Sequence, residues 1–353
     1  MTAEELLQLA CNEKASDLHL VVGIQPILRI NGELRVVSSE VSLTPKHNQE
    51  LVFSFLNEEQ KETFLVNKEI DFSVSYRDLA RFRVNAYYEK GNISASLRLI
   101  PSRIPTVDEL KLPKICHEFT KLKQGFVLVT GPTGHGKSTT LAAIIDEINE
   151  TRKEHIVTIE DPIEYVYQHK QSIISQRELR SDTHSWEIAL RSVLREDPNI
   201  VLIGEMRDYE TISAALTIAE TGHLVFSTLH TNSASQTIDR IVDVFPPHQQ
   251  QQVKTQLSFT LEAILSQRLM PTLEKKLTVA SEILVATPAV KNSIREGQTH
   301  LIDNIIQTSA EIGMLTLEMD LARLVSEGRI GFEQARNYAL RPEELTRLVK
   351  RNK

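Results

Sequence analysis

Residues Gly125 to Thr140 read GFVLVTGPTGHGKSTT. Phe126 to Thr130 is a short apolar run of the kind a buried parallel strand shows. Gly131 to Ser138 then satisfies G-x-x-x-x-G-K-[ST] at every fixed position, and Thr139 to Ile148 continues with helical spacing. Strand, glycine-rich turn and helix in that order predict a phosphate-binding loop. The residue types have a physical reason. Without side chains at Gly131, Gly134 and Gly136, backbone N–H groups can close around phosphate oxygens at a helix N-terminus. Lys137 is expected to reach the β- and γ-phosphates, and the Ser138 hydroxyl to ligate Mg²⁺. The expected cradle is Gly131, Pro132, Thr133, Gly134, His135, Gly136, Lys137, Ser138 and Thr139, with a nucleotide and Mg²⁺ as its ligands.

Beyond the loop, strand and helix alternate, which is the pattern of a parallel sheet. His155 to Ile159 is a strand running into Glu160, Asp161, Pro162 and Glu164. Asn199 to Ile203 is a fully apolar strand ending in Gly204-Glu205. Carboxylates just past the C-terminal ends of strands lie where open α/β sheets bind ligands, although such residues also serve as helix caps. An apolar strand ending in an acidic residue is what a Walker B element requires. The usual Asp is here Gly204, so Glu205 must take the metal or water role. Leu224 to Leu229 is a strand between His223 and His230. A His at the end of a strand in this sheet is a candidate γ-phosphate sensor, or else a structural hydrogen-bonder. Ser233 and Gln236 cap a helix, and His248 to Leu269 reads as one long amphipathic helix. Leu277 to Val285 reads as a strand, followed by helices from Thr287-Pro288 to the end.

Upstream, Thr2 and Glu5 form an S/T-x-x-E capping box for a helix with Leu6, Leu9 and Ala10 on its apolar face. Strands are predicted over Asp17 to Val22, Ile27 to Ile30 and Glu33 to Val37, with Asn31-Gly32 as a hairpin turn. Thr44-Pro45 opens a helix running towards Asn57. Arg81 to Glu89 and Ile93 to Ile100 form a hairpin about Lys90-Gly91-Asn92. Phe82, Val84, Leu97 and Leu99 take its core face, so Arg83 and Arg98 share the polar one. Two arginines there suit a clamp on a γ-phosphate, and equally suit a solvated surface. The segment PSRIPTVDELKLP reads as a Pro-punctuated linker. The expected organisation is an α+β domain over 1–100, a linker over 101–121, an ATPase core over 122–288 and a helical region over 289–353.

Composition sets the class. Of 353 residues, 41 % are hydrophobic and 25 % charged, ordinary for a globular protein with room for two domains. A net charge of −7 weighs against a surface built for nucleic acid. The two cysteines, Cys11 and Cys116, form no C-x-x-C, which excludes a four-cysteine zinc element. The opening MTAEELLQLA is not a signal peptide, and no apolar run approaches the ~20 residues that span a bilayer. A cytoplasmic protein without membrane insertion is expected, membrane association coming through partners.

Together, VTGPTGHGKSTTLAAIID, HIVTIEDPIEY, NIVLIGEMRD and TGHLVFSTLHTNSA resemble the Walker A, Asp box, atypical Walker B and His box of the secretion ATPase superfamily. Within it the chain looks most like the type IV pilus retraction ATPases, over nearly its whole length. The resemblance implies a PAS-like N-terminal domain and a RecA-like ATPase domain. It also implies a cytoplasmic homohexameric ring that hydrolyses ATP to pull pilin out of the pilus through an inner-membrane platform protein. By position, Lys137 and Ser138 match the Walker A lysine and metal ligand. Glu164 matches the water-positioning glutamate, Glu205 the Walker B glutamate, and His223 and His230 the His box. Ser138, Glu164 and Glu205 are thereby the implied metal set. Arg83 and Arg98 match arginines that reach the nucleotide. His135 replaces a usual Ser. A motif linked to retraction, AIRNLIRE, reads AVKNSIRE from Ala289 to Glu296, so Ser293 removes an apolar contact. A pilus extension or type II secretion ATPase shares the four boxes, but usually carries a larger N-terminal region and a zinc element that this chain lacks. A RecA-like nucleic-acid motor and a non-hydrolysing nucleotide-binding regulator are the readings from other classes.

Overall fold

The computed structural model describes residues 1–351 apart from 31, 38–40, 78–79, 101–102 and 275. It divides into two compact units, Met1–Arg103 with Pro162–Val166, and Ile104–Asp161 with Tyr167–Lys353.

The first unit is built on six strands: β1 (Asp17–Leu20), β2 (Ile27–Ile30), β3 (Glu33–Val36), β4 (Glu69–Tyr76), β5 (Ala80–Glu89) and β6 (Asn92–Ile100). They form one antiparallel sheet in the order β3-β2-β1-β6-β5-β4. Three helices accompany it: α1 (Ala3–Asn12), α2 (Pro45–Phe53) and α3 (Glu58–Asn67). The capping box of α1 forms, with Glu5 N–H donating to Thr2 Oγ1 at 3.3 Å and Thr2 N–H to Glu5 Oε2 at 2.8 Å. The helix expected from Thr44 to Asn57 stops at Phe53, because Asn57 caps α3 in a second capping box with Gln60. Asn31 of the expected turn lies outside the described residues; β2 and β3 pair there as Ile30 with Glu33. Phe82, Val84, Ala86, Ala95 and Leu97 are fully buried along β5 and β6. Their alternation leaves Arg83 and Arg98 directly opposite each other on the other face.

The second unit carries seven strands: β7 (Gly125–Thr130), β8 (His155–Glu160), β9 (Ile173–Glu178), β10 (Ile200–Ile203), β11 (Leu224–Leu229), β12 (Leu261–Pro271) and β13 (Leu277–Val285). Their order is β13-β12-β7-β11-β10-β8-β9, parallel throughout except for the β12/β13 hairpin. The helices are α4 (Cys116–Phe119), α5 (Lys137–Thr151), α6 (Trp186–Val193), α7 (Tyr209–Glu220), α8 (Ala234–Asp243), α9 (Pro247–Thr260), α10 (Pro288–Arg295), α11 (Ile302–Thr308), α12 (Leu317–Ser326), α13 (Phe332–Tyr338) and α14 (Pro342–Arg351). Every residue of β7, β10 and β11 is buried, as expected of strands covered on both faces.

Three expectations are corrected. The helix read from His248 to Leu269 ends at Thr260, and Leu261–Pro271 is a strand beside β7. Its run LEAILSQRLM is almost continuously buried, and such a run carries no period that separates strand from helix. The segment read as a linker over 101–121 is packed from Ile104 onward, with Val107, Leu112, Cys116 and Phe119 buried; Pro101 lies outside the described residues. No boundary falls at residue 288 either. Val290 and Ile294 of α10 and Ile302 and Ile306 of α11 belong to the core under the main sheet. Leu321, Leu324 and Leu345 of α12 and α14, with Ala335 of α13, form a separate cluster together with Met270 and Ala280 of β12 and β13. Ser293 itself is buried on α10, so that substitution lies on the packed face of the helix.

Candidate active site

The loop between β7 and α5 has the backbone its glycines suggest. Gly131, Gly134 and Gly136 take φ of 141°, 78° and 80°, and Gly136 is the N-cap of α5. At Gly131 an added Cβ would lie 2.4 Å from the Gln267 carbonyl oxygen, so the neighbouring strand β12 admits only glycine there. Lys137 is 7 % exposed, and its ammonium donates to the Gly131 and Pro132 carbonyls at 2.9 and 3.0 Å. The lysine therefore bridges the loop from inside. Pro132, Thr133 and Gly134 form its rim, and Ser138 and Thr139 stand in the first turn of α5. A cavity of about 520 Å³ adjoins that turn, lined by Gly136, Thr139, Thr140, Leu269, Val279 and Arg329 among others.

His230 joins the loop to a carboxylate. Its Nδ1 stands 3.2 Å from Thr133 Oγ1 and 3.4 Å from Lys137 Nζ, and its Nε2 stands 3.3 Å from Glu205 Oε2. The other oxygen of Glu205 pairs with Arg207 at 2.8 Å. Lys137, His230 and Glu205 thus line up at the C-terminal ends of β7, β11 and β10, where an open parallel sheet binds its ligand. His223 does not join them. It sits at the other end of β11, where Nδ1 meets Thr221 Oγ1 at 3.0 Å and the Ile218 carbonyl at 3.1 Å. Gly204, in place of the usual Walker B Asp, packs closely on β8: a Cβ there would lie 3.3 Å from Glu160 Cα, a tight contact. Glu160 is itself buried and accepts from Thr158 Oγ1 at 2.7 Å and from Gln176 Nε2 at 3.3 Å.

A family model described as Type II/IV secretion system protein matches residues 3–327. The chain belongs to this family. It is 45 % identical over 97 % of its length to the type IV pilus retractation ATPase PilT of Pseudomonas aeruginosa, covering 99 % of that protein. It is 48 % identical over 91 % of its length to a twitching motility protein of Neisseria gonorrhoeae, covering 86 % of it. The crystal structure of the pilus retraction motor PilT with bound ADP superposes with a TM-score of 0.92 at 44 % identity, covering 98 % of this chain and 99 % of that one. This secretion ATPase accordingly has the RecA-like ATPase fold, binds nucleotide and is an ATPase.

The loop fits a nucleotide's phosphates, since the side-chain-free positions leave a concavity and a buried ammonium stands at its floor. Among the described residues no group of three His, Cys, Asp or Glu side chains could hold a metal ion. The implied set of Ser138, Glu164 and Glu205 offers one hydroxyl and two carboxylates. The donors here suit a Mg²⁺ held by one hydroxyl and by substrate phosphate oxygens. Glu164 is exposed and lies in Pro162–Val166, which groups with the first unit. Arg98 is exposed and pairs through Nε with Asp17 Oδ1 at 2.9 Å; Arg83 is half-buried.

Sequence reasoning missed the residues that brace the site. Ser266 Oγ lies 2.7 Å from Thr130 Oγ1, Gln267 Nε2 donates to the His135 carbonyl at 2.6 Å, and Arg268 donates to Asn232. His135 Nδ1 accepts from Leu269 N–H at 3.2 Å. Burial, followed by the nearby Arg268 and Lys137 cations, holds the His135 pKa below its ordinary value. All of these lie on or against β12, and reading that stretch as a helix hid them. A polar triplet inside an apolar run, Ser266-Gln267-Arg268, was the available signal.

Proposed function

We propose that this secretion ATPase is a motor that hydrolyses ATP with Mg²⁺ to power type IV pilus retraction. The proposal extends to a homohexamer at the inner face of the cytoplasmic membrane, acting through a platform protein on pilin. The observation that carries it is the Lys137–His230–Glu205 alignment in a chain that matches retraction motors end to end. No helix among the described residues is long and apolar enough to cross a membrane.

The proposed roles rest on the geometry of the loop and on the family resemblance. Lys137 exchanges its carbonyl partners for phosphate oxygens and stabilises charge that develops on them. Ser138 would hold Mg²⁺, which when bound neutralises phosphate charge. Water attacks the γ-phosphorus and the bond to the ADP oxygen breaks, with Glu205 or Glu164 orienting the water and taking its proton. His230 lies between Glu205 and the loop, where it can report the γ-phosphate to the carboxylate. Arg83 and Arg98 are assigned to the γ-phosphate as fingers. The cavity beside Thr139 and Thr140 suits the nucleoside end.

Deletion of the gene in its host tests the direction of the motor. Surplus pili that do not retract are expected; bald cells would overturn the assignment in favour of extension.

A further inference from the structure

The geometry points to Gln267 and Arg268, adjacent on β12, as positioning residues for the two halves of the active site. Gln267 sets the phosphate loop, and Arg268 sets the segment that carries His230. The inference rests on the ATPase reading of the site.

Successive side chains of a strand point to opposite faces, so neighbours on β12 serve different elements. Gln267 is fully buried and donates through Nε2 to the His135 carbonyl at 2.6 Å, in the middle of the phosphate loop. Its own carbonyl stands 2.4 Å from where a Gly131 Cβ would be, and its Nε2 stands 3.4 Å from the Gly136 equivalent. The loop is thereby seated against this residue at both ends. The next residue, Arg268, is 6 % exposed, and its Nη2 donates to Asn232 O at 3.1 Å and to Asn232 Oδ1 at 3.0 Å. Asn232 is two residues after His230. The far side of that segment is fixed as well, because Ala234 N–H donates to Glu282 Oε1 on β13 at 2.7 Å. A displacement of Asn232 would carry His230 away from Glu205 and Lys137.

Neither side chain is an economical choice for a strand core. The Gln267 Oε1 atom is buried without a hydrogen-bond partner among the described residues, and Arg268 is buried with its charge. Apolar residues of the same volume commonly serve a core as well or better, since buried polar groups must be fully satisfied. What these two side chains supply is directed hydrogen bonding to two loops.

Near-isosteric Gln267→Met and Arg268→Met separate the two roles in steady-state phosphate release. Gln267→Met should raise KM and the dissociation constant for ATP about tenfold while kcat changes less than threefold, because the binding loop loses its seat. Arg268→Met should lower kcat about tenfold with KM within twofold, because binding survives while His230 loses its register. Arg268→Lys should recover only part of kcat, since an ammonium does not reproduce the guanidinium reach. Asn232→Ala, at an exposed position, should lower kcat about threefold and decides the question if the Met variants do not fold. Wild-type constants in all variants, or a parallel loss of kcat and affinity in both Met variants, would overturn the inference. Absence of ATP turnover in the wild-type protein would instead overturn the ATPase reading.

Discussion

Lys137 and Arg98 are both cations placed by the ends and faces of strands, but their surroundings differ. Lys137 is 7 % exposed, and its ammonium already rests on two carbonyls of its own loop. The Arg98 side chain is 73 % exposed, pairs with Asp17, and faces Arg83 across the β5/β6 ladder. The ordering and desolvation of the lysine are part of folding, so an arriving phosphate meets a pre-formed donor. Like charges directly opposite on an antiparallel pair repel, and a bound anion relieves that repulsion. On the proposed reading the first arrangement binds, and the second responds to what is bound.

The largest effect is expected at the pre-formed donor. Lys137→Ala should abolish steady-state phosphate release, a loss of at least a hundredfold or about 2.7 kcal/mol. Near-normal turnover would break the comparison at once. Glu205→Gln and Glu164→Gln keep shape and remove charge, so each should retain ATP binding while turnover collapses. A wild-type rate in either variant would remove that carboxylate from the water-orienting role. Such a result is the more informative for Glu164, which lies in the segment grouped with the first unit.

The arginine pair should show an intermediate effect. Arg83→Lys and Arg98→Lys are each expected to cut turnover about tenfold, equivalent to about 1.4 kcal/mol in the barrier, with ATP affinity changed much less. A point charge does not replace the planar fork. If both variants turn over normally, the pair is a solvated surface and the contrast with Lys137 dissolves.

The smallest effect concerns pH. Burial foremost, then the Arg268 and Lys137 cations, lowers the His135 pKa from the ordinary histidine value of about 6.5, and its Nδ1 accepts from Leu269 N–H. With the folded pKa depressed, this ring contributes stability in full above pH 6.5, and the contribution is lost as pH falls through the folded pKa. Stability against thermal unfolding should therefore decline on acidification below about 6.5, the ordinary histidine value. His135→Ser should flatten that decline while leaving ATP affinity at pH 8 nearly unchanged. An identical pH profile in the variant would show that the loop does not depend on this ring.

The phosphate loop could be read directly because every constraint on it is local. Glycines at fixed spacing, an apolar run before them and a helical period after them all lie within sixteen residues, Gly125 to Thr140. The face of the hairpin was equally local: alternation puts Arg83 and Arg98 on its polar side, while their direct opposition is given by the strand pairing. Glu160 was named only as one of several carboxylates, since its burial depends on Thr158, Gln176 and the close approach of Gly204. Val290 and Ile294 had the spacing of one helix face, but spacing does not say what covers it. Both are fully buried in the main core, so charge at these positions would disturb folding.

The sequence by itself determined the chemistry of the site: a phosphate loop, acidic strand ends, a histidine at the end of β11 and a pair of arginines on one sheet face. Periodicity and backbone sterics act over a few residues, and they suffice for such elements. Only the tertiary structure decided that Leu261–Pro271 is a strand and that its polar residues hold the two loops of the site. The same eleven-residue, largely buried run could bury itself as a helix or as a strand. Pairing with β7 on one side and β13 on the other satisfies its backbone as a strand, and those partners lie beyond the reach of any local pattern.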